Sequence, residues 1–178
     1  MSSIRKFLGL DRPRQALPSS DTDTVRRIVR ELEALPQEHA RYIAAFAFIL
    51  NRVARADLEI SDVETARMES IVRDYGNLSE AQAVLVVEIA RTQANVLGAT
   101  EDYLVTREFK KLAPQEQRQQ LLHCLFEVSA ANDSISVVEE ELIRQIASEL
   151  EFGHADYIAA RSVFSAKRAV LKGLPGGQ

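Results

Sequence analysis

Two short acidic turns hold the side chains best suited to chemistry in this chain. The first reads Ala56-Asp57-Leu58-Glu59-Ile60-Ser61 and is followed by Glu64; the second reads Ala131-Asn132-Asp133-Ser134-Ile135-Ser136 and is followed by Glu139. Asp57, Glu59 and Glu64, with Asn132, Asp133 and Glu139, offer the oxygen donors that a hard divalent cation such as calcium or magnesium prefers. They do not make an EF-hand loop. Its twelfth position falls on Met68 in the first turn and on Arg144 in the second, so the bidentate Glu is missing, as is the Gly at the sixth. A structural role competes for the same residues. Glu64 and Glu139 stand three residues after Ser61 and Ser136, the capping-box spacing in which the serine oxygen caps a backbone N–H and the glutamate reaches back to the cap's own N–H. Acids in such turns also sit favourably near a positive helix N-terminus.

Other reactive side chains do not assemble. His39, His123 and His154 are scattered, and His123 and Cys124 are sequence neighbours that point about 100° apart on a helix, so they cannot work as nucleophile and base. Cys124 matches the apolar Ile49 of the repeat described below and reads as a core residue. No Gly-rich phosphate loop, metal-binding His-x-x-Glu helix or serine nucleophile elbow is present. An enzyme is not expected. One cysteine excludes an internal disulfide and a cysteine-based zinc site, and it fits a reducing compartment.

The elements that must carry the turns are helical. Of the 178 residues, 46% are hydrophobic and 27% charged, the balance of an ordinary globular domain. Seven Gly and five Pro are too few to punctuate the many short strands of a sandwich or barrel. Helical spacing appears from Thr24 to Leu35, where Val25, Ile28, Val29 and Leu32 share a face and Pro36 ends it. A long helix follows from Gln37 to Ala56, with Ile43, Phe46, Ala47, Leu50, Val53 and Ala54 on one side and Arg41, Arg52 and Arg55 elsewhere. Capping boxes at Ser61–Glu64, Ser79–Gln82 and Ser136–Glu139 open further helices. The first of these ends near Tyr75-Gly76, where Gly can take the left-handed position, and the others run to about Val96 and Leu150. Thr100–Lys110, a helix from Pro114 to Ala131, and His154 to about Val170 complete an all-α pattern of eight helices.

An internal repeat organises these helices. With a shift of 75 residues, Phe46, Leu50, Val53 and Ala56 align with Leu121, Leu125, Val128 and Ala131. Beyond the turns, Ile60, Ser61, Glu64, Met68 and Ile71 align with Ile135, Ser136, Glu139, Ile143 and Ile146. Each unit is an apolar-faced helix, an acidic turn and a capped amphipathic helix, a hairpin that still needs a neighbour to cover its remaining apolar surface.

A turn of the form Ala-Asp-Gly-x-Ile/Leu followed by Glu, carried twice, resembles the tellurite-resistance protein B (TerB-like) family. Thr100-Glu101-Asp102-Tyr103 and the stretch from Leu122 to Ala160, with Glu139–Ala147 and Asp156–Ala160 inside it, are similar to its stand-alone branch. The likeness extends over about residues 22–170. Leu58 stands where the first Gly belongs, and Asn132-Asp133 replaces the second Asp-Gly. The resemblance implies a compact bundle of seven to eight helices containing two related hairpins, a non-catalytic role in tellurite or other stress resistance, and acidic turns that take a divalent metal ion or a basic partner. It also admits a pure protein-interaction module, like the N-terminal TerB-like domain of membrane-anchored J-domain co-chaperones.

Charge divides the chain into an arm, a body and a tail. Residues 1–20 carry a net +3, residues 21–150 carry 14 basic against 23 acidic side chains, and the whole is −4. An acidic body is a poor ligand for phosphate backbones, so no nucleic-acid partner is expected. Residues 1–20 read as a flexible basic arm, 21–172 as the helical domain and 173–178 as a disordered tail. Ile4-Arg5-Lys6-Phe7-Leu8-Gly9-Leu10 mixes bulky apolar residues with cations and suits weak contact with an anionic membrane surface or docking on a protein partner, itself membrane-associated in the second reading. No secretory signal and no run of the length of a membrane span occur, so the expected address is the cytoplasm.

Overall fold

Apolar residues fill nearly every position from Tyr42 to Val53, so the helix that carries them has no face to give to water and belongs at the centre. That is where a computed structural model, describing residues 19–54, 62–93, 99–132 and 134–165, places it. Helix α1 spans Ser19–Glu33, α2 Gln37–Ala54, α3 Asp62–Gly76 and α4 Glu80–Gln93. They are followed by α5 over Ala99–Leu112, α6 over Gln115–Ser129, a 3-10 turn over Ala130–Asn132, α7 over Val137–Glu149 and α8 over His154–Ser162. The chain is an all-α helical bundle, with no strand among the described residues.

Helix α2 is ringed by α1, α4, α5, α6 and α7. Every residue from Tyr42 to Val53 is buried, including Asn51 and Arg52. Arg52 lies off the side that Ile43, Phe46 and Leu50 share, as the spacing predicts, and is buried all the same because neighbours close over the whole circumference. Helix α3 lies chiefly against α4 and α6, while α7 lies against both α6 and α2. The second helix of each repeat thus covers the first helix of the other, which is how two hairpins satisfy the apolar surface that neither covers alone. Matching positions are buried in both copies: Phe46 with Leu121, Leu50 with Leu125, Met68 with Ile143 and Ile71 with Ile146. Ile135 is buried, whereas its counterpart Ile60 lies outside the described residues.

Helix ends follow local chemistry. Two of the three capping boxes form: Ser79 N–H donates to Gln82 Oε1 at 3.0 Å while Gln82 N–H donates to Ser79 Oγ at 3.3 Å, and Ser136 and Glu139 repeat the exchange. The box expected at Ser61–Glu64 lies outside the described side chains. Pro114 is the N-cap of α6, one residue before the first turn in which it is expected, with an extended ψ of 165°. Helix α6 itself stops at Ser129 and tightens into the 3-10 turn. Helix α8 ends at Ser162, short of the expected Val170, and the chain then turns to bury Phe164 against Phe126, their rings stacked 5.4 Å apart; residues 166–178 lie outside the described residues.

Gly76 does not take the left-handed position after α3. Asn77 does, with φ 52°, and Gly76 remains the last helical residue. Its role is close approach, since a Cβ there would stand 3.1 Å from Cζ of the buried Phe46. A second left-handed residue, Glu151 with φ 64°, closes α7. Phe152 N–H donates to Ala147 O and Glu151 N–H to Ser148 O, both at 3.0 Å, which is the Schellman pattern with a position usually filled by Gly. Glu151 recovers an exposed ion pair with Lys110 at 2.7 Å. Relief of left-handed strain is worth about 1–2 kcal/mol, more than a solvent-screened exposed pair returns. Glu151→Gly is therefore expected to stabilise the domain by about 1 kcal/mol in urea unfolding, and Glu151→Ala, which keeps the strain and loses the pair, to destabilise it slightly.

Candidate functional site

The second acidic turn is the better described of the two. Helix α6 delivers the chain through the 3-10 turn to Ile135, whose buried side chain pins the turn to the core, and Ser136 then starts α7. Glu139 is only 3% exposed. Its Oε2 accepts from Ser136 N–H at 2.8 Å, and its own N–H donates to Ser136 Oγ at 3.2 Å. This role at the helix start accounts for the Glu139 carboxylate without a cation. The next two acids also have partners, since Glu140 pairs with Arg161 from α8 and Glu141 with Arg144 one turn along α7. Arg144 holds the Glu141 carboxyl below the ordinary glutamate range through their hydrogen bond and opposite charge.

Of the other expected ligands, Glu64 lies in the first turn of α3 and Asn132 ends the 3-10 turn, with side chains outside the description. Asp57, Glu59 and Asp133 lie outside the described residues altogether. Among the described residues, no group of three or more His, Cys, Asp and Glu side chains is arranged to hold a metal ion. The capping role of Glu139 is separable by substitution. Glu139→Ala should cost about 1–2 kcal/mol by removing the box and leaving the half-buried Ser136 N–H unpaired, whereas Glu139→Gln keeps an acceptor and should stay within about 0.5 kcal/mol. Urea unfolding of the two variants checks this.

The histidines and the cysteine do not form a catalytic group. His39 Nε2 lies 2.7 Å from Gln82 Nε2, in hydrogen-bond contact with the amide that already serves the α4 capping box. His123 is exposed while Cys124 is fully buried, and burial pushes the Cys124 thiol far above its ordinary value, which makes it a core residue rather than a nucleophile. Burial also raises the Tyr42 hydroxyl, to about 12. Tyr42 stacks on Phe109 at 5.2 Å, and Phe46 meets the same ring edge-on at 6.2 Å.

One polar cluster has no signal in the turn motifs. Arg52 Nη1 donates to Glu149 Oε2 at 2.7 Å and to Thr106 Oγ1 at 2.7 Å, and Nη2 donates to Glu149 Oε1 at 3.2 Å. Gln145 Nε2 donates to the same Oε1 at 2.9 Å. The Arg52 and Glu149 side chains are 3% and 8% exposed. Burial alone would raise the Glu149 carboxyl, but the hydrogen bonds and charge of Arg52 outweigh it, with help from Thr106 and Gln145, and the group lies below the ordinary range. The cluster ties α2 of the first repeat, α7 of the second and the intervening α5 together close to where α2 leads into the first acidic turn. The signal for it is in the composition of α2, because a charge on a helix that is apolar all round must be buried and paired.

The model of the family described as tellurite resistance protein TerB matches residues 42–162. The chain belongs to the TerB family. The match runs from Tyr42 in α2 to the end of α8, so it takes in both repeats and both acidic turns of the TerB domain. Helix α1 precedes it. No curated protein and no solved structure matches the chain. No described helix is long and apolar enough to cross a membrane.

Proposed function

We propose that this chain is a non-catalytic TerB-type binding module whose acidic hairpin turns engage a hard divalent cation in a stress response of the tellurite-resistance kind. The observation that carries the reading is the use of the other polar groups. Arg52, Thr106, Gln145 and Glu149 join helices, and Ser136 with Glu139 starts one, so the described polar groups hold the frame. Beside them in sequence, the two turns carry Asp57, Glu59, Asn132 and Asp133, three carboxylates and an amide suited to a ligand, with Glu64 at the position that matches the capping Glu139. Oxygen donors on two short turns favour calcium, magnesium or manganese over softer metals. The family supports the stress role, and the acidic body makes a basic partner surface the competing occupant of the same turns. Thermal unfolding in chelator, and then with each cation in excess, tests the reading. A ligand at about 100 times its Kd adds about 2.7 kcal/mol to the folded state. A rise in Tm with one of the three cations, unchanged by Glu139→Gln, is the expected result, and an identical Tm in chelator and in all three counts against it.

A further inference from the structure

Helix α5 turns a cationic and apolar stripe to solvent on a body that is otherwise acidic. Its inner face is fixed in the core by Val105, Thr106 and Phe109. On the opposite side, within about 100° of arc by helical spacing, stand Tyr103, Leu104, Arg107 and Lys111. Tyr103 and Leu104 are 52% and 55% exposed, two adjacent bulky apolar side chains left in water. Arg107 is exposed and makes no ion pair among the described residues, while Lys111 shares Glu108 with Arg41. No acidic residue occupies the stripe. Arg107 is therefore the stripe's cation without a described partner, and one carboxylate serves both Lys111 and Arg41, so positive charge is in local excess on a body in which residues 21–150 carry a net −9.

From this placement we infer that the outer face of α5 docks an acidic, apolar-bearing helical segment of a partner protein. Tyr and Arg are the residue types that most often anchor interfaces, because each adds a large contact surface and a directed polar group. The nine residues from Tyr103 to Lys111 span about 12 Å at a rise of 1.5 Å per residue, enough to face about two turns of a partner helix. Charge selects the occupant. The chain's own residues 4–10 are cationic and would be repelled by Arg107 and Lys111, and two cations release too few counterions to hold a phosphate backbone. An anionic membrane shares the sign, but two apolar side chains on a helix held in the core supply little area to insert. The stripe has the opposite sign to the acidic turns and takes the opposite class of ligand, so its test is independent of theirs.

The probe is a synthetic amphipathic peptide with Leu at i and i+4 on one face and Glu flanking it, titrated into the isotopically labelled full chain and followed by amide chemical shifts. A peptide of the same composition in scrambled order is the control. Shifts centred on residues 103–111, and at least tenfold weaker binding after Arg107→Glu with Lys111→Glu, are expected. Tyr103→Ala, which leaves the charges in place and should keep the parent Tm, should weaken binding at least threefold. Failure to bind, shifts centred elsewhere, equal affinity for the scrambled peptide, or an undiminished response in the charge-reversed variant would overturn the inference. So would phosphatidylserine vesicles or a second copy of the chain perturbing the stripe in preference to the peptide.

Discussion

Arg52→Ala is expected to destabilise the domain by about 3–5 kcal/mol, because truncating one member of a buried ion pair leaves the other charged, desolvated and without its main partner. The guanidinium serves Glu149 through two nitrogens and Thr106 through one, and its removal frees acceptors on two other helices. Glu149→Ala should cost as much by the reciprocal argument. Replacing the pair together, Arg52→Met with Glu149→Leu, should recover most of the loss, because no buried charge remains. The pair also gives stability a pH dependence of known sign. Glu149 lies below its ordinary value in the folded state, so its contribution is complete above the unfolded glutamate pKa of about 4.3 and disappears as pH falls through the lower folded value. Urea unfolding between neutral pH and pH 3 should show that loss in the parent chain and a reduced loss in the double variant.

Phe109→Ala should have an effect of similar size by a different route. Phe109 is the point at which α5 enters the core, fully buried between the rings of Tyr42 and Phe46 on α2. Removing a buried phenyl side chain costs about 3–5 kcal/mol from lost transfer energy and the cavity left behind. Phe109→Leu keeps much of the volume and should cost roughly 1.5 kcal/mol. Because the ring anchors α5, Phe109→Ala should also raise amide exchange along that helix more than along α6, and hydrogen exchange measures this directly.

How far the fold could be read from residue order depended on how local each determinant is. Helices and capping boxes were legible because Ser79, Gln82, Ser136 and Glu139 act within one turn of chain, and their bonds form as spaced. The repeat was legible because burial recurs at the same register in both copies, as at Phe46 and Leu121. The burial of Arg52 is not legible from spacing, because it depends on helices α5 and α7, distant in sequence, closing over α2. Gly76 and Asn77 exchanged roles for a similar reason: the requirement at Gly76 is set by the Phe46 ring, thirty residues earlier, and not by the turn itself. In the candidate site, Glu139 was legible both as a ligand and as a cap, and the local geometry satisfies the cap.

Cation binding by the turn carboxylates is the property on which the proposed role of the domain rests. Isothermal titration of the intact chain with manganese, calcium and magnesium measures that directly, with Asp57→Asn combined with Asp133→Asn as the comparison. A saturable heat with at least one of the three ions is expected, together with its loss in the double variant, whose Tm in chelator should match the parent. No heat with any of the three, or equal heat from the double variant, would contradict that role.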